Sequence, residues 1–249
     1  MSDVVKKPYV SDLRARQAGQ TRRTIIDAAA TLFVAHGYGG TTIDAIAAAA
    51  GVGRKTVFNA VGGKPDCLKL AIDWAIAGDD EPVPIMQRPR VRASMQAEDA
   101  RWILRDYAEQ YTQGASRAAA LFEVLGDVAG LDETLRALHD DLERQRTLGM
   151  TNLAGHLDLR QSLRPGLTVP DAAQLLCVYT DTTAYQRLVA RHGWPPARFV
   201  SWLADTLIAQ LIRTDYEPHP LPKTQRARQL GVDTDALPQL DQRAAPGRT

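Results

Sequence analysis

Three glycine-bearing breaks crowd the front of this chain: HGYGG (36–40), GVG (51–53) and GGKPD (62–66). Between them there is room for only two short helices, about Thr42 to Ala49 and Arg54 to Val61, joined by a tight turn. That spacing constrains the fold more than any bulk property does. Elsewhere apolar residues recur at the 3.6-residue period, and no segment keeps a period-two alternation long enough for a half-buried strand. The chain reads as all-α.

A longer helix precedes the pair, from about Thr21 to Ala35, with Ile25, Ile26, Ala29, Leu32 and Phe33 on one face. Thr41 is placed to cap the second helix, with Asp44 three residues on as the returning carboxylate of a capping box. Pro65 suits the first position of a fourth helix reaching about Ala77. The stretch GDDEPVPIMQRPR (78–90) then reads as a linker. Beyond it the periodicity predicts five helices, over 94–113, 116–128, 132–159, 170–192 and 195–213.

The 249 residues carry a net charge of +1, which hides an asymmetry. Residues 1–78 hold ten Lys and Arg against six acids, while the remainder is slightly acidic. A basic front on an acidic body suits a polyanionic partner for the front alone. No apolar run approaches the length of a membrane span, and the N-terminus lacks the apolar core of a signal peptide. Cys67 and Cys177 have no metal or redox spacing and read as reduced thiols of a cytoplasmic protein. HExxH, GxSxG, phosphate-binding and dinucleotide-binding motifs are all missing, so neither a metal, a cofactor nor catalysis is expected.

Two short helices joined by a glycine-containing turn, with a longer helix behind, match a helix-turn-helix unit. In such a unit the second helix enters the major groove while the first crosses the backbone. Val52 sits in the turn, and Ile43, Ile46, Ala47, Ala50 and Val57 form the apolar set that would lock the pair. The stretch GYGGTTIDAIAAAAGVGRKTVFNAVGGKPDCLKLAID (37–73) resembles the N-terminal domain of the tetracycline-repressor (TetR) family. The match lies in Gly37-Tyr38, Thr41-Thr42-Ile43, Ile46-Ala47, Ala50-Gly51-Val52, Thr56-Val57-Phe58, Lys64 and Leu68. The stretch AYQRLVARHGWPPARFVSWLADTLIAQL (184–211) is similar to the family's last two helices, which pair across a dimer.

The resemblance implies a homodimeric transcription regulator that binds double-stranded DNA and answers to a small-molecule effector. Its divisions would be a flexible basic arm (1–20), a DNA-binding domain (21–78), a linker (79–93), an effector-binding and dimerisation domain (94–214) and a Pro-rich tail (215–249). By position, Thr41, Thr42 and Lys64 would meet phosphates, and Gly53, Arg54, Lys55, Thr56, Phe58 and Asn59 would form the recognition segment. Three departures stand out. Gly53 replaces the usual Ser cap, Phe58 the usual Tyr, and Ala60-Val61 an aromatic or His followed by Phe. Fewer phosphate bonds and a shallower salt dependence follow.

In the body, Trp102, Tyr107, Tyr111, Phe122, Met150, His156 and Tyr179 are candidate effector-pocket residues. Phe199, Trp202, Leu203, Leu207 and Leu211 offer more apolar surface than one helix side needs, and are expected at the dimer interface. Two other readings stand beside this one: a dimeric architectural DNA-binding protein with no effector, and an all-helical enzyme with a coincidentally basic front.

Overall fold

The computed structural model describes residues 9–218 apart from positions 80 and 82. Lys6 and Lys7 of the expected arm, and the tail beyond residue 218, lie outside the described residues. Among the described residues the secondary structure is helical, with one isolated bridge between Leu163 and Ile212. Helix α1 spans Tyr9–Gly40 and is interrupted at Gly37, whose φ of 68° only glycine adopts at little cost. It begins well ahead of Thr21, so residues 9–20 are helical where a flexible arm was expected. Helices α2 (Ile43–Ala49), α3 (Arg54–Ala60) and α4 (Lys64–Ala77) follow at the expected places.

The linker is more ordered than its prolines and acids suggested. Arg88 bonds both carboxylate oxygens of Asp79, at 2.5 and 2.8 Å, which holds Asp79 down to about 2. Pro89 opens α5 (Pro89–Met95), whose Val91, Ser94 and Met95 are buried. Helix α6 (Ala100–Ala129) then runs unbroken through Gly114, where two helices were expected. A Cβ there would lie 3.5 Å from the carbonyl of Ile76, an ordinary contact distance, so Gly114 faces the end of α4 without a side chain being excluded.

Helix α7 covers Glu133–Asp158 and α8 covers Val169–Tyr179. The expected 170–192 helix breaks at Thr180, because the Asp181 carboxylate caps a new short helix α9 (Thr182–Tyr185). That turn continues into a π-helical segment, Gln186–Arg191. Helix α10 (Pro196–Leu211) is the last helix among the described residues.

Two cores result. The front core gathers Ile25, Ile26, Phe33, Ile46, Val57, Leu68 and Ile72, and it also takes Leu121, Leu125, Leu135 and Leu142 from α6 and α7. The rear core joins Ile103, Leu104, Leu153, Leu157, Leu176, Phe199, Leu203 and Leu207. Helices α6 and α7 therefore belong to both, and the front does not end at the linker.

Arg160 is fully buried in the rear part. Its guanidinium donates to the carbonyls of Met95, Ala97 and His156 at 2.6 to 3.0 Å. These carbonyls lie at the C-terminal ends of α5 and α7, where the helix dipoles favour a cation. Tyr216, from the expected Pro-rich tail, is also buried. Its hydroxyl donates to Glu98 O and accepts from Ala100 N.

Candidate nucleic-acid interface

The turn between α2 and α3 is built by backbone bonds. Gly51 N donates to Ala48 O and Val52 N to Ala47 O, with Gly51 at a φ of +66°. Val57, the buried residue of α3, anchors that helix in the front core. Arg54, Lys55, Thr56, Phe58 and Asn59 are all exposed. Gly53 sits at the N-cap without a side-chain bond.

Thr42, not Thr41, caps α2: its hydroxyl oxygen accepts from Ala45 N at 3.1 Å. Thr41 is buried, and its hydroxyl donates toward the carbonyls of Gly37 and Leu32 at 2.9 and 3.1 Å. Its amide bonds Tyr38 O as well. Both groups expected on a phosphate are thus used inside the fold. The reason is the bend at Gly37, which turns the preceding carbonyls back onto residue 41.

Lys64 is similarly occupied. Its Nζ donates to Tyr38 O at 2.9 Å and Thr41 O at 3.1 Å, and lies 4.0 Å from the centre of the Tyr38 ring. Tyr38 in turn stacks on Phe33. Asp44, freed from any capping box with Thr41, pairs with Arg54 across the turn at 2.5 Å. The Arg54 guanidinium also lies 5.5 Å from the centre of the Phe58 ring. Nothing in the sequence spacing marked that pair as more than two surface charges.

The seven expected pocket residues do not form one site. Trp102 is 47% exposed, Phe122 packs on the front core, and the Nδ1 of His156 bonds Asn152 O. Tyr107 and Met150 do meet, the phenol donating to the sulfur at 3.2 Å. Tyr107, Tyr111, Phe199, Tyr185 and Trp202 then form a chain of ring contacts with centres 5.4 to 6.5 Å apart. Tyr179 packs against the same core. Burial raises both Tyr107, to about 12, and Tyr111, so each stays a neutral phenol.

Two buried polar atoms beside these rings, Tyr111 Oη and Arg146 Nε, have no hydrogen-bond partner. Arg146 spends its other nitrogens on Cys177 O and Glu143, with Asp181 at 4.0 Å. Sequence reading missed Arg146, since a lone Arg on a charged helix gives no sign of facing inward. Two surface hollows of about 470 Å³ are lined by Asp158, Arg164 and Arg213 and by Asp140, Glu143 and Arg144, and none of these rings lines either.

The residues expected at a dimer interface are already engaged within the chain. Phe199, Leu203, Leu207 and Leu211 are fully buried within one chain, and Trp202 packs on Phe199 and Trp194. Their spacing of four keeps them on a single stripe, and α6 and α8 both press on it. The face of α10 left outside carries Arg198, Ser201, Asp205 and Ala209, and on α8 Val178 is 67% exposed. No described helix is long and apolar enough to cross a membrane.

Residues 25–69 match the family model described as bacterial regulatory proteins, tetR family. No curated protein matches the sequence. Among solved structures, the SmeT–triclosan complex is similar at a TM-score of 0.62 and 21% identity, covering 82% of this chain and 100% of that one. NalD of Pseudomonas aeruginosa is similar at 0.58 and 20%, covering 79% and 99%. A TetR-family regulator from Rhodococcus sp. is similar at 0.58 and 14%, covering 77% and 98%. The chain thus carries, at its front, the helix-turn-helix DNA-binding domain of the tetR family of bacterial regulatory proteins, on an all-helical body of the fold its structural relatives share.

Proposed function

We propose that this chain is a cytoplasmic homodimeric repressor of transcription, released from a palindromic operator by a small molecule bound in its body. The observation that carries the reading is α3 itself. A helix of seven residues is marginal alone, and this one is seated by Val57 while Arg54, Lys55, Thr56, Phe58 and Asn59 face outward. Those side-chain types match base edges: Arg or Lys for guanine O6 and N7, the Thr methyl for thymine, Asn for adenine.

Thr42 keeps its own hydroxyl proton for a phosphate while accepting from Ala45 N. Thr41 and Lys64 act as the frame that holds α2 and α4 in register, with one Nζ donor of Lys64 left over for a phosphate. In a dimer, the outward faces of α8 and α10 around Val178 would meet their copies, and the two α3 helices would enter major grooves about 34 Å apart.

Effector control is supported by the body's interior. Tyr111 Oη and Arg146 Nε each forgo a hydrogen bond, which costs about 1–3 kcal/mol per buried group. A ligand supplying acceptors there would be favoured by that much. Tyr107 and Tyr111 lie on α6, and further along α6 Arg117 donates to the carbonyls of Ala75 and Ile76 at the end of α4. A shift of α6 thereby reaches the helix that follows α3. SmeT, similar in fold, is seen in complex with triclosan, and NalD is described as a repressor of a multidrug efflux pump.

The test is binding of the full chain to mixed-sequence duplex DNA, with Arg54→Ala/Lys55→Ala as control, and a thermal-stability screen against small molecules. A ligand that binds the folded state raises its stability. DNA binding with no stabilising compound would favour an architectural protein without an effector.

A further inference from the structure

Stability does not account for the pair of Asp44 and Arg54: a carboxylate in the first turn of α2 gains only the modest favour of the helix dipole, and needs no arginine for it. The pair's side chains are 57% (Arg54) and 68% (Asp44) exposed, and exposed pairs of this kind contribute little to folding. Nor does Asp44 help a protein approach DNA. It stands in the first turn of α2, the helix that crosses the phosphate backbone in this motif, where a carboxylate repels. A charge that costs affinity and adds little stability calls for another role.

The geometry points to Asp44 as a positioning residue that sets Arg54 for reading one guanine in each half-site. This inference rests on the DNA-binding reading given above. A guanidinium is a rigid fork of five N–H donors, and a free Arg side chain samples many rotamers. Here the fork is held from two sides. Nη1 donates to Asp44 Oδ2 from α2, and the Phe58 ring, one turn along α3, lies under the guanidinium carbon. With Nη1 engaged, the Nε and Nη2 edge is the pair of parallel donors that remains. That edge matches the O6 and N7 acceptors of guanine.

Asp44 thereby trades general attraction to phosphate for discrimination at one base pair. It also explains Phe58, whose ring is 46% exposed on the outward face. The ring supplies a flat support for the guanidinium where a phenol would instead reach for phosphate.

The experiment uses the full chain. Duplexes are selected from a random pool, and titrations then compare the selected site with variants carrying each other base pair at every half-site position. Asp44→Asn keeps the side-chain shape and its place near the helix N-terminus but weakens the hold on Arg54. It should bind random duplex about two- to fivefold more tightly, having lost a repelling charge. At one guanine per half-site it should lose roughly tenfold of its discrimination.

Arg54→Ala should lose the preference at that same base pair, and adding Asp44→Asn to it should change discrimination no further. The inference is overturned if Asp44→Asn keeps full discrimination, or if it weakens all duplexes evenly, as a merely structural residue would. It is equally overturned if the Arg54→Ala and Asp44→Asn effects fall on different base pairs. A wild-type chain that binds no duplex at all would bring down the DNA reading itself, an outcome separate from the other three.

Discussion

Lys64 reaches back to Tyr38 twice: its Nζ bonds the Tyr38 carbonyl at 2.9 Å and stands 4.0 Å over the Tyr38 ring. A third contact, to Thr41 O at 3.1 Å, completes a clasp between the start of α4 and the bend that ends α1. Lys64→Met keeps the stem and removes all three. It should cost about 2 kcal/mol in denaturant unfolding, from charged hydrogen bonds and a partly buried cation–π contact. If Lys64 served phosphate alone, stability would be unchanged and only DNA affinity would fall.

Arg160 predicts a larger loss. Arg160→Ala would leave the carbonyls of Met95, Ala97 and His156 buried without a donor and open a cavity at the end of α7. A cost of about 3–5 kcal/mol is expected, from buried carbonyls left unsatisfied at about 1–3 kcal/mol each together with the cavity. Thermal melting should show a drop of many degrees, while a shift of a degree or two would mean that water replaces the guanidinium readily.

Much of the front was legible because its turns demand glycine. Gly37, Gly51 and Gly62 have φ values of 68°, 66° and 121°, so the breaks fall where side chains are penalised. Gly114 carried the opposite lesson: it faces the end of α4 from within a helix, and a break was read where α6 is continuous. The cap of α2 slipped by one residue because Thr41 and Thr42 are chemically identical, and only the carbonyls turned toward position 41 tell them apart. Likewise the α10 stripe looked too apolar for one subunit until α6 and α8 were both seen against it. Arg160, Arg146 and the Asp44–Arg54 pair left no trace in spacing, since all depend on which chain segments meet.

Two glycines that flank α3 should respond with opposite sign. Gly53 has a φ of −75° and ψ of 150°, and a Cβ there would be 3.8 Å from Thr56 Oγ1. Gly53→Ser adds the missing cap and should gain a few tenths of a kcal/mol. Gly62→Ala must take up a φ of 121° and push against Asp66, whose carboxylate accepts from Gly63 N. A loss above roughly 1 kcal/mol is expected. Chemical denaturation of both variants checks the signs.

His156 sets a pH dependence. Burial, aided by the Arg160 cation, holds its pKa below the ordinary value of 6.5, although the Asn152 carbonyl opposes this. The unfolded chain therefore binds the proton more readily than the folded one. Stability is complete above about pH 6.5 and falls as pH drops below it. Asp79, held down to about 2, stays charged throughout that window. Melting temperatures from pH 7.5 to 5.5 should decline for the wild type and flatten for His156→Gln. Parallel curves would assign the decline elsewhere.

The most direct test of the account is the salt dependence of DNA binding, followed by fluorescence anisotropy of a labelled mixed-sequence duplex. Wild-type affinity should fall linearly on a log–log plot, by roughly 0.9 per phosphate neutralised. Arg54→Ala/Lys55→Ala should bind at least about tenfold more weakly, with a shallower slope. Unchanged affinity in that variant, with a flat salt response in both proteins, would contradict the claim that α3 is the surface this chain presents to DNA.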